Sequence, residues 1–162
     1  MAHKKGSAGI RNILLSREYS KLKVERDPIV VNFFNRFHLP IDRLTAKKVY
    51  KFWAMDRLDN KLSQFVYRFI NGKLKLNVHL AHFRPPLSDG MCTFCKIKNE
   101  NTMNKETYLH LFFECPKIDP CYRYFMGRPA FKCRELMISD NMLQKVILFS
   151  FLYSIWRVRC CN

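Results

Sequence analysis

The stretch that decides the fold is CTFCKIKNENTMNKETYLHLFFECP, which spans residues 92–116. Its cysteines and its histidine follow the pattern C-x2-C-x14-H-x4-C, and the four residues are Cys92, Cys95, His110 and Cys115. A C-x2-C turn lets two thiolates bind one tetrahedral Zn²⁺ while backbone amides of the turn point at the sulfurs. The spacing therefore predicts a metal site of the Cys3His type.

A short helix over Lys105–Glu114, ended by Pro116, would carry His110 and place Cys115 at its end, about one turn further on. Both side chains can then reach the ion held by the C-x2-C turn. Four protein ligands leave no open position for water or substrate, so the pattern indicates one structural Zn²⁺ and not a catalytic one. The alternative is a set of buried free thiols with a histidine at the surface.

The other cysteines and histidines do not repeat this spacing. We interpret the remaining cysteines as core or surface thiols: Cys121, Cys133, Cys160 and Cys161. His79 and His82 lie three residues apart, and we interpret them as a polar edge, near RNA or simply solvated. The odd total of seven cysteines, with no apolar stretch after the first lysines, favours an intracellular, reducing compartment.

The charge of the chain points to a polyanionic partner. Its 162 residues include 29 Lys and Arg against 13 Asp and Glu, a net charge of +16. Such a surface repels itself unless a polyanion neutralises it, so nucleic acid is the first candidate and an anionic membrane the second. The longest apolar run, Val146–Trp156, is shorter than the roughly 20 residues of a bilayer span. We expect a buried helix there and no membrane span.

The apolar pattern outside the cysteine stretch is helical. Thr45 is a suitable N-cap for AKKVYKFWAMDRL. The next helix, NKLSQFVYRFIN, places four apolar residues on one side and ends at Gly72, in a C-cap position. Those four residues are Leu62, Phe65, Val66 and Phe69. LNVHLAHF predicts one more turn before Pro85 and Pro86 end it.

Two apolar segments complete the helical interpretation. Pro28–Pro40 should dock on the domain as a short helix or a strand, because its period is ambiguous. NMLQKVILFSFLYSIWRVR predicts a long, largely buried helix with Ser139 or Asp140 as N-cap. We therefore predict a mainly α protein: a small helical domain over residues 27–162 with an embedded Cys3His zinc knuckle, and an extended basic tail over residues 1–26. Any strands should be short and near the metal site.

The region of about residues 45–160 resembles the zinc-binding domain that follows the polymerase domain in reverse transcriptases of non-LTR retrotransposons. The resemblance depends on FVYRFINGKL (Phe65–Leu74), CTFC, ETYLHLFFECP (Glu106–Pro116) and the terminal FLYSIWRVRCCN. The loop over Lys96–Asn104 is longer and more basic than is usual in that family. No paired-aspartate motif for two-metal nucleotidyl transfer is present, so the resemblance implies nucleic-acid binding without polymerase activity.

The first twelve residues, MAHKKGSAGIRN, are similar to the opening of the twenty-seventh large-subunit ribosomal protein of bacterial type. The matching positions are Lys4, Lys5, Arg11 and Asn12. In that family the tail lies along ribosomal RNA, whereas the β-rich body of the family is absent from this chain. Residues 1–17, which carry no acidic side chain, also suit a mitochondrial presequence, and a mitochondrial location is favoured over the nucleus or cytoplasm.

The sequence is compatible with three classes of function. In the first, a non-catalytic RNA-binding protein, exposed cations contact phosphates and the tail orders on binding. The candidate contacts are Lys4, Lys5, Arg11, Asn12, Arg17, Lys47, Lys48, Lys51, Lys73, Lys75, Lys96 and Lys98. This protein would be a subunit of a ribonucleoprotein, such as a mitochondrial ribosome with protein neighbours, or else the zinc module of a reverse transcriptase detached from its polymerase.

The other two classes are an enzyme and a protein-interaction adaptor. Asp56 and Asp59 suggest solvated salt-bridge partners, and the chain has no nucleophile motif, glycine-rich phosphate loop or H-E-x-x-H. We therefore expect no catalysis and no small-molecule substrate. An adaptor would use an exposed apolar patch such as Phe33, Phe34 and Phe37, alone or together with RNA binding.

Overall fold

A computed structural model describes residues 28–40, 58–84, 86–96 and 104–161. Its α-helices are α1 (Pro28–Arg36), α2 (Asn60–Ile70), α3 (Asn77–Leu80), α4 (Thr93–Lys96), α5 (Asp119–Met126), α6 (Ala130–Cys133) and α7 (Met142–Cys161). A π-helical turn, His110–Glu114, precedes α5, and a 3₁₀ helix, Arg134–Ile138, follows α6. The mainly α prediction is confirmed. Extended pairing among the described residues is limited to one antiparallel bridge, between Met91 and Lys105.

The segment of ambiguous period forms a helix, α1. Val30, Phe33, Phe34 and Phe37 are all buried, and their i, i+3, i+4, i+7 spacing explains why one helical face enters the core. The three phenylalanines are at most 1% exposed. The prediction of an adaptor patch on these residues is therefore wrong, because the same rings that would form the patch are needed to fill the core.

The core is rich in aromatic rings, and Phe69 of α2 contacts several of them. Its ring stacks on Phe37 with centroids 5.0 Å apart. It also meets Phe112 edge-on at 5.1 Å and Phe149 of α7 at 5.7 Å. Such aromatic contacts stabilise the fold by more than the buried apolar area alone would give. One α2 side chain thus joins α1, the π-helical turn and α7.

Both ends of α2 have identifiable caps. The Asp59 side chain is exposed, and its carboxylate accepts hydrogen bonds from the backbone N–H groups of Lys61 and Leu62, so Asp59 is an N-cap, a role that we did not predict. At the other end Gly72 has φ +66°, and the Lys73 N–H donates to the Arg68 carbonyl at 2.7 Å. This arrangement is a Schellman motif, which confirms the predicted role of Gly72.

Arg36 of α1 completes the C-terminal cap of α2. Its guanidinium donates to the carbonyls of Phe69 at 3.1 Å and Ile70 at 3.3 Å, and it lies 4.6 Å from the centre of the Tyr108 ring. A cation at this end also complements the helix dipole. A Cβ at Gly72 would collide with this guanidinium, so a side chain there would strain the backbone and would also displace the end of the Arg36 side chain.

The pair Gly72→Ala and Gly127→Ala separates these two effects. Gly127 also has a positive φ, +65°, but nothing lies within 4 Å of the position of its Cβ. Each substitution should cost about 1–2 kcal/mol for the left-handed backbone. Gly72→Ala should cost about 1–3 kcal/mol more, because Arg36 must leave its carbonyl acceptors. Urea unfolding measures both; equal losses would show that the Arg36 cap contributes nothing.

The long helix α7 differs from its prediction in two ways. Asn141 directly precedes α7 and its side chain accepts from the Gln144 N–H at 3.2 Å, so the N-cap position belongs to Asn141 and not to the predicted Ser139 or Asp140. Only one face is buried, whereas Leu143 is 67% and Val158 54% exposed. When a helix is apolar on all sides, its sequence does not indicate which face the rest of the domain covers.

In the described ranges, none of the helices combines the length and apolarity that a membrane crossing demands.

Several predictions concern parts of the chain outside the described residues. These are the tail over residues 1–26, the helix that follows Thr45, Asp56 and the loop over residues 97–103. The division into a tail and a domain over residues 27–162 stays a prediction.

Candidate metal centre

Four side chains meet beneath the surface at the cysteine stretch. They are Cys92, Cys95, His110 and Cys115, their ligand atoms all lie within 4.8 Å of one another, and all four residues are buried. The Cys95 Sγ lies 3.4 Å from the His110 Nε2 and 3.7 Å from the Cys115 Sγ, which is 3.9 Å from the Cys92 Sγ. A tetrahedron with bonds of about 2.3 Å to sulfur has edges of about 3.8 Å. The group can therefore hold one metal ion.

Two local structures bring the ligands together. Cys92 precedes α4, and its N–H donates to the Asn104 carbonyl at 2.9 Å, beside the bridge between Met91 and Lys105. The π-helical turn carries His110, and its last bond runs from the Cys115 N–H to the His110 carbonyl at 2.7 Å. The wider turn lets both residues face the same centre.

The predicted helix over Lys105–Glu114 is wrong at its start. Lys105 is extended in the bridge with Met91, and helical residues begin only at Tyr108. The next residue, Glu106, is fully buried and its carboxylate accepts hydrogen bonds. These bonds hold Glu106 before the start of the helical segment. The ligand end of the prediction is unaffected, because His110 and Cys115 lie in the part that is helical.

Backbone amides stabilise negative charge on two of the sulfurs. The N–H groups of Phe94 and Cys95 point at the Cys92 sulfur, and the N–H of Lys117 points at that of Cys115. The contact with Cys115 is the main cause that lowers the pKa of Cys92 to about 4, whereas the same contact raises the pKa of Cys115. Burial raises the pKa of Cys95. Three crowded thiols thus favour one shared negative charge, and a cation is what would let all three ionise.

Glu106 ties this centre to the rest of the domain. Its carboxylate is fully buried and accepts from the Thr93 N–H at 3.0 Å and from the Thr93 hydroxyl at 2.8 Å. Thr93 lies between the two cysteines of the C-x2-C turn. The same carboxylate accepts from the Asn77 N–H at 2.8 Å, at the start of α3. Glu106 therefore fixes the position of the C-x2-C turn relative to α3.

Arg159 of α7 supplies the opposite charge. Its guanidinium donates to the Glu106 carboxylate at 2.7 and 3.1 Å and to the Asn77 side-chain oxygen at 2.8 Å, and it lies 5.1 Å from the Trp156 ring. Burial would raise the pKa of Glu106, but bonds from Arg159, Thr93 and Asn77 outweigh it and lower that pKa. The carboxylate is thus held in its charged form.

We did not predict a role for Glu106 or Arg159 from the sequence, although both lie in quoted motifs. A usable signal existed: Leu152, Ile155 and Arg159 are spaced i, i+3, i+7, which places the arginine on the buried face of α7. A cation on an apolar face requires a carboxylate partner. The partner lies 53 positions away in the chain, so its identity could not be read from local spacing.

The other four cysteines, together with His79 and His82, do not belong to the cluster, as predicted. Cys121, Cys160 and Cys161 are exposed. Cys133 is buried, and burial raises the pKa of its thiol to about 11. His79 and His82 are exposed, and within the described ranges they belong to no group that could hold a metal ion.

Three of the predicted nucleic-acid contacts fall among the described residues. Lys73 and Lys75 are exposed on the connection between α2 and α3, and the Lys73 ammonium lies 3.2 Å from the Tyr67 hydroxyl. Lys96 forms a surface ion pair with Asp89 at 2.6 Å, which offsets its charge. The other candidates lie outside the described residues: Lys4, Lys5, Arg11, Asn12, Arg17, Lys47, Lys48, Lys51 and Lys98.

Comparisons with protein-family models, with curated proteins and with solved structures found no match to this chain. What the protein does must therefore be inferred from its own site and its own charge.

Proposed function

We propose that this protein is a non-catalytic, zinc-stabilised RNA-binding protein, and specifically a structural subunit of a ribonucleoprotein such as a mitochondrial ribosome. The observation that carries the proposal is a buried group of four protein ligands in a chain with a net charge of +16. A closed site of this kind stabilises a fold and offers no position for a substrate. The excess of cations supplies affinity for phosphates.

Zinc is the metal that the ligand set favours. Three thiolates and one imidazole in a tetrahedral arrangement suit Zn²⁺ better than the oxygen-binding cations Mg²⁺ and Ca²⁺. Cys92, Cys95 and Cys115 belong to the buried core, and Glu106 accepts from the Thr93 N–H between the first two. The protein purified from zinc-containing medium should hold one equivalent of zinc by elemental analysis.

RNA binding is tested by a salt titration. The full chain, loaded with zinc, is mixed with a fluorescein-labelled RNA, and its affinity is measured by fluorescence anisotropy between low and physiological salt. Each phosphate contact should contribute about 0.7–0.9 to the slope of log K against log salt. An apolar protein interface has no such dependence. A flat titration, or no binding at low salt, would refute the proposal.

Deletion of residues 2–12 should leave the fold intact and weaken RNA binding. This segment carries Lys4, Lys5 and Arg11 and few apolar side chains. If all three cations contact phosphates, the salt slope should fall by about 2–3. Circular dichroism melting serves as the folding control. Equal affinity for the same RNA before and after the deletion would remove the tail from the binding surface.

A second candidate function is the nucleic-acid-binding module of a reverse transcriptase, detached from its polymerase. Contacts among the quoted motifs favour it: Phe69 of FVYRFINGKL meets Phe112 of ETYLHLFFECP, and Glu106 pairs with Arg159 of the terminal motif. Crosslinking in cell extract, followed by sequencing of the attached RNA, separates the two candidates. Ribosomal RNA supports the first, and retroelement transcripts support the second.

A further inference from the structure

We propose that the aromatic–basic surface of α5 and α6 binds unpaired bases of single-stranded RNA by stacking. This surface consists of Arg123, Tyr124, Phe125, Arg128, Phe131 and Lys132. None of these residues was among the contacts predicted above. The inference rests on the proposed RNA binding and adds to it the class of RNA and a site that recognises bases, where the lysines contact only phosphates.

Three aromatic rings lie exposed within eight residues. Tyr124 is 83%, Phe125 67% and Phe131 54% exposed. Single exposed apolar side chains are common, but a group of large rings on one short stretch is not explained by the fold. The core contacts of α5 come from Tyr122, which is fully buried and donates to the Phe112 carbonyl at 2.6 Å, and from the partly buried Met126. The exposed rings are therefore available to a ligand.

Two of the exposed rings are positioned by contacts with other aromatic side chains. Tyr124 and Phe125 meet edge to face with centroids 4.9 Å apart. Phe125 also lies 5.8 Å from Phe151 of α7, which itself meets the buried Tyr122 at 4.7 Å. Two rings anchored on a packed helix lose little freedom when a ligand binds, which favours affinity.

The charges around the rings complement RNA. Arg123, Arg128 and Lys132 are all exposed and alternate with the rings along the chain. Asp119, the acidic residue of α5, is occupied: it accepts from Arg123 at 2.6 Å and from the Ala130 N–H at 2.8 Å, which joins α5 to α6. Rings interleaved with cations are the arrangement that binds bases and phosphates of a single strand together. Protein–protein interfaces also favour aromatic rings and Arg, but they are depleted in Lys, and this surface includes Lys132.

The turn between the two helices is open. Gly127 ends α5, and nothing lies within 4 Å of the position of its Cβ. A strand could therefore pass from the Tyr124 and Phe125 rings toward Phe131 over this turn. A duplex could not use the rings, because its bases are already stacked on one another. The surface thus predicts a preference for single strands.

The test compares two double variants of the full, zinc-loaded chain. One is Tyr124→Leu with Phe125→Leu; the control is Leu143→Ala with Ile147→Ala, which removes exposed apolar surface from α7 instead. The probes are a fluorescein-labelled 12-nucleotide oligouridine and a 12-base-pair RNA duplex. The ring variant should bind the oligouridine about tenfold or more weakly, with an unchanged salt slope. The control variant should bind as the wild type does.

A charge variant and a crosslink give independent readouts. Arg128→Gln with Lys132→Gln should lower the salt slope for oligouridine by about 1–2. Oligouridine containing 5-bromouridine should crosslink to Tyr124 or Phe125, identified by mass spectrometry. Unchanged zinc content and melting temperature show that the variants are folded.

The outcomes distinguish this inference from the proposed function. In one outcome the affinity of the wild type for RNA falls steeply as salt rises, but the ring variant binds oligouridine as tightly as the wild type does. The stacking inference then fails and the proposed RNA binding stands. If the wild type binds neither probe, both fail. If the ring variant keeps its RNA affinity but loses a self-association seen by sedimentation, the surface is a protein interface and the inference is overturned.

Discussion

Replacing Cys92 and Cys95 with serine is expected to abolish metal binding and to unfold the chain from the C-x2-C turn through Cys115. The structure brings four buried ligands within 4.8 Å of one another, so removal of two leaves a half-site. Structural zinc contributes about 10–16 kcal/mol of apparent binding free energy in small peptides. That is comparable to the whole unfolding free energy of a domain, about 5–15 kcal/mol.

Cys121→Ser is the matched control for this variant. Cys121 is an exposed thiol outside the cluster, so its replacement should change neither metal content nor melting. Elemental analysis and circular dichroism compare the proteins, and hydrogen exchange locates the unfolded segment, which should include the amides of His110 and Cys115. A double variant that keeps one equivalent of metal and the melting temperature of the wild type would show that the four side chains bind no structural ion.

Glu106→Gln is expected to cost about 3–5 kcal/mol of unfolding free energy, the usual result of breaking a buried ion pair from one side. The substitution preserves shape but leaves the Arg159 guanidinium, only 11% exposed at its side chain, without its carboxylate. It also turns an amide donor toward groups that donate, the Thr93 N–H and hydroxyl. The turn that carries Cys92 and Cys95 loses its support, so metal affinity should fall about 10–100-fold as well.

The surface pair of Asp89 and Lys96 provides the control. These side chains are 57% and 45% exposed, and Asp89→Asn should cost only about 0–1 kcal/mol, because solvent screens such pairs. Urea unfolding gives both values, and Arg159→Met with Glu106→Gln completes a double-mutant cycle. A Glu106→Gln variant as stable as Asp89→Asn would mean that the buried pair supports nothing.

The pH dependence of the same comparison follows from the lowered pKa of Glu106. A carboxylate with a folded pKa below its unfolded value of about 4.3 stabilises the fold above that pH and stops doing so as the pH falls through the folded pKa. The difference in unfolding free energy between wild type and Glu106→Gln should therefore be largest at neutral pH and should become smaller below about pH 4. Because the variant is expected to bind metal more weakly, it should lose metal at a higher pH than the wild type, so zinc content is measured at each pH beside the unfolding free energy.

The sequence predicted those features whose cause lies within a few residues. The spacing of Cys92, Cys95, His110 and Cys115 was sufficient for the metal cluster, since the turn and the helical turn that present these ligands are each local. Gly72 was recognisable because the αL position after a helix selects glycine strongly. The mainly helical fold could be predicted from the periodicity of apolar residues, because that periodicity does not depend on which other element a helix packs against.

The features that the sequence did not predict depend on partners far away in the chain. Phe33, Phe34 and Phe37 are apolar in either role, and only the packing of α1 on Phe69 decides that they are core and not an exposed patch. Glu106 belongs to the predicted helix but lies outside the observed one, which begins at Tyr108, and its carboxylate instead pairs with Arg159, 53 residues later. The exposed side of α7 is likewise set by what covers its other face.

X-ray absorption at the zinc edge of the purified full chain tests the central claim most directly, that one ion binds this cluster and organises a basic scaffold around it. The account predicts three sulfur neighbours at about 2.3 Å and one nitrogen neighbour at about 2.0–2.1 Å, with one zinc per chain. A zinc shell of oxygen and nitrogen atoms alone, or a chain that folds without metal, would contradict it.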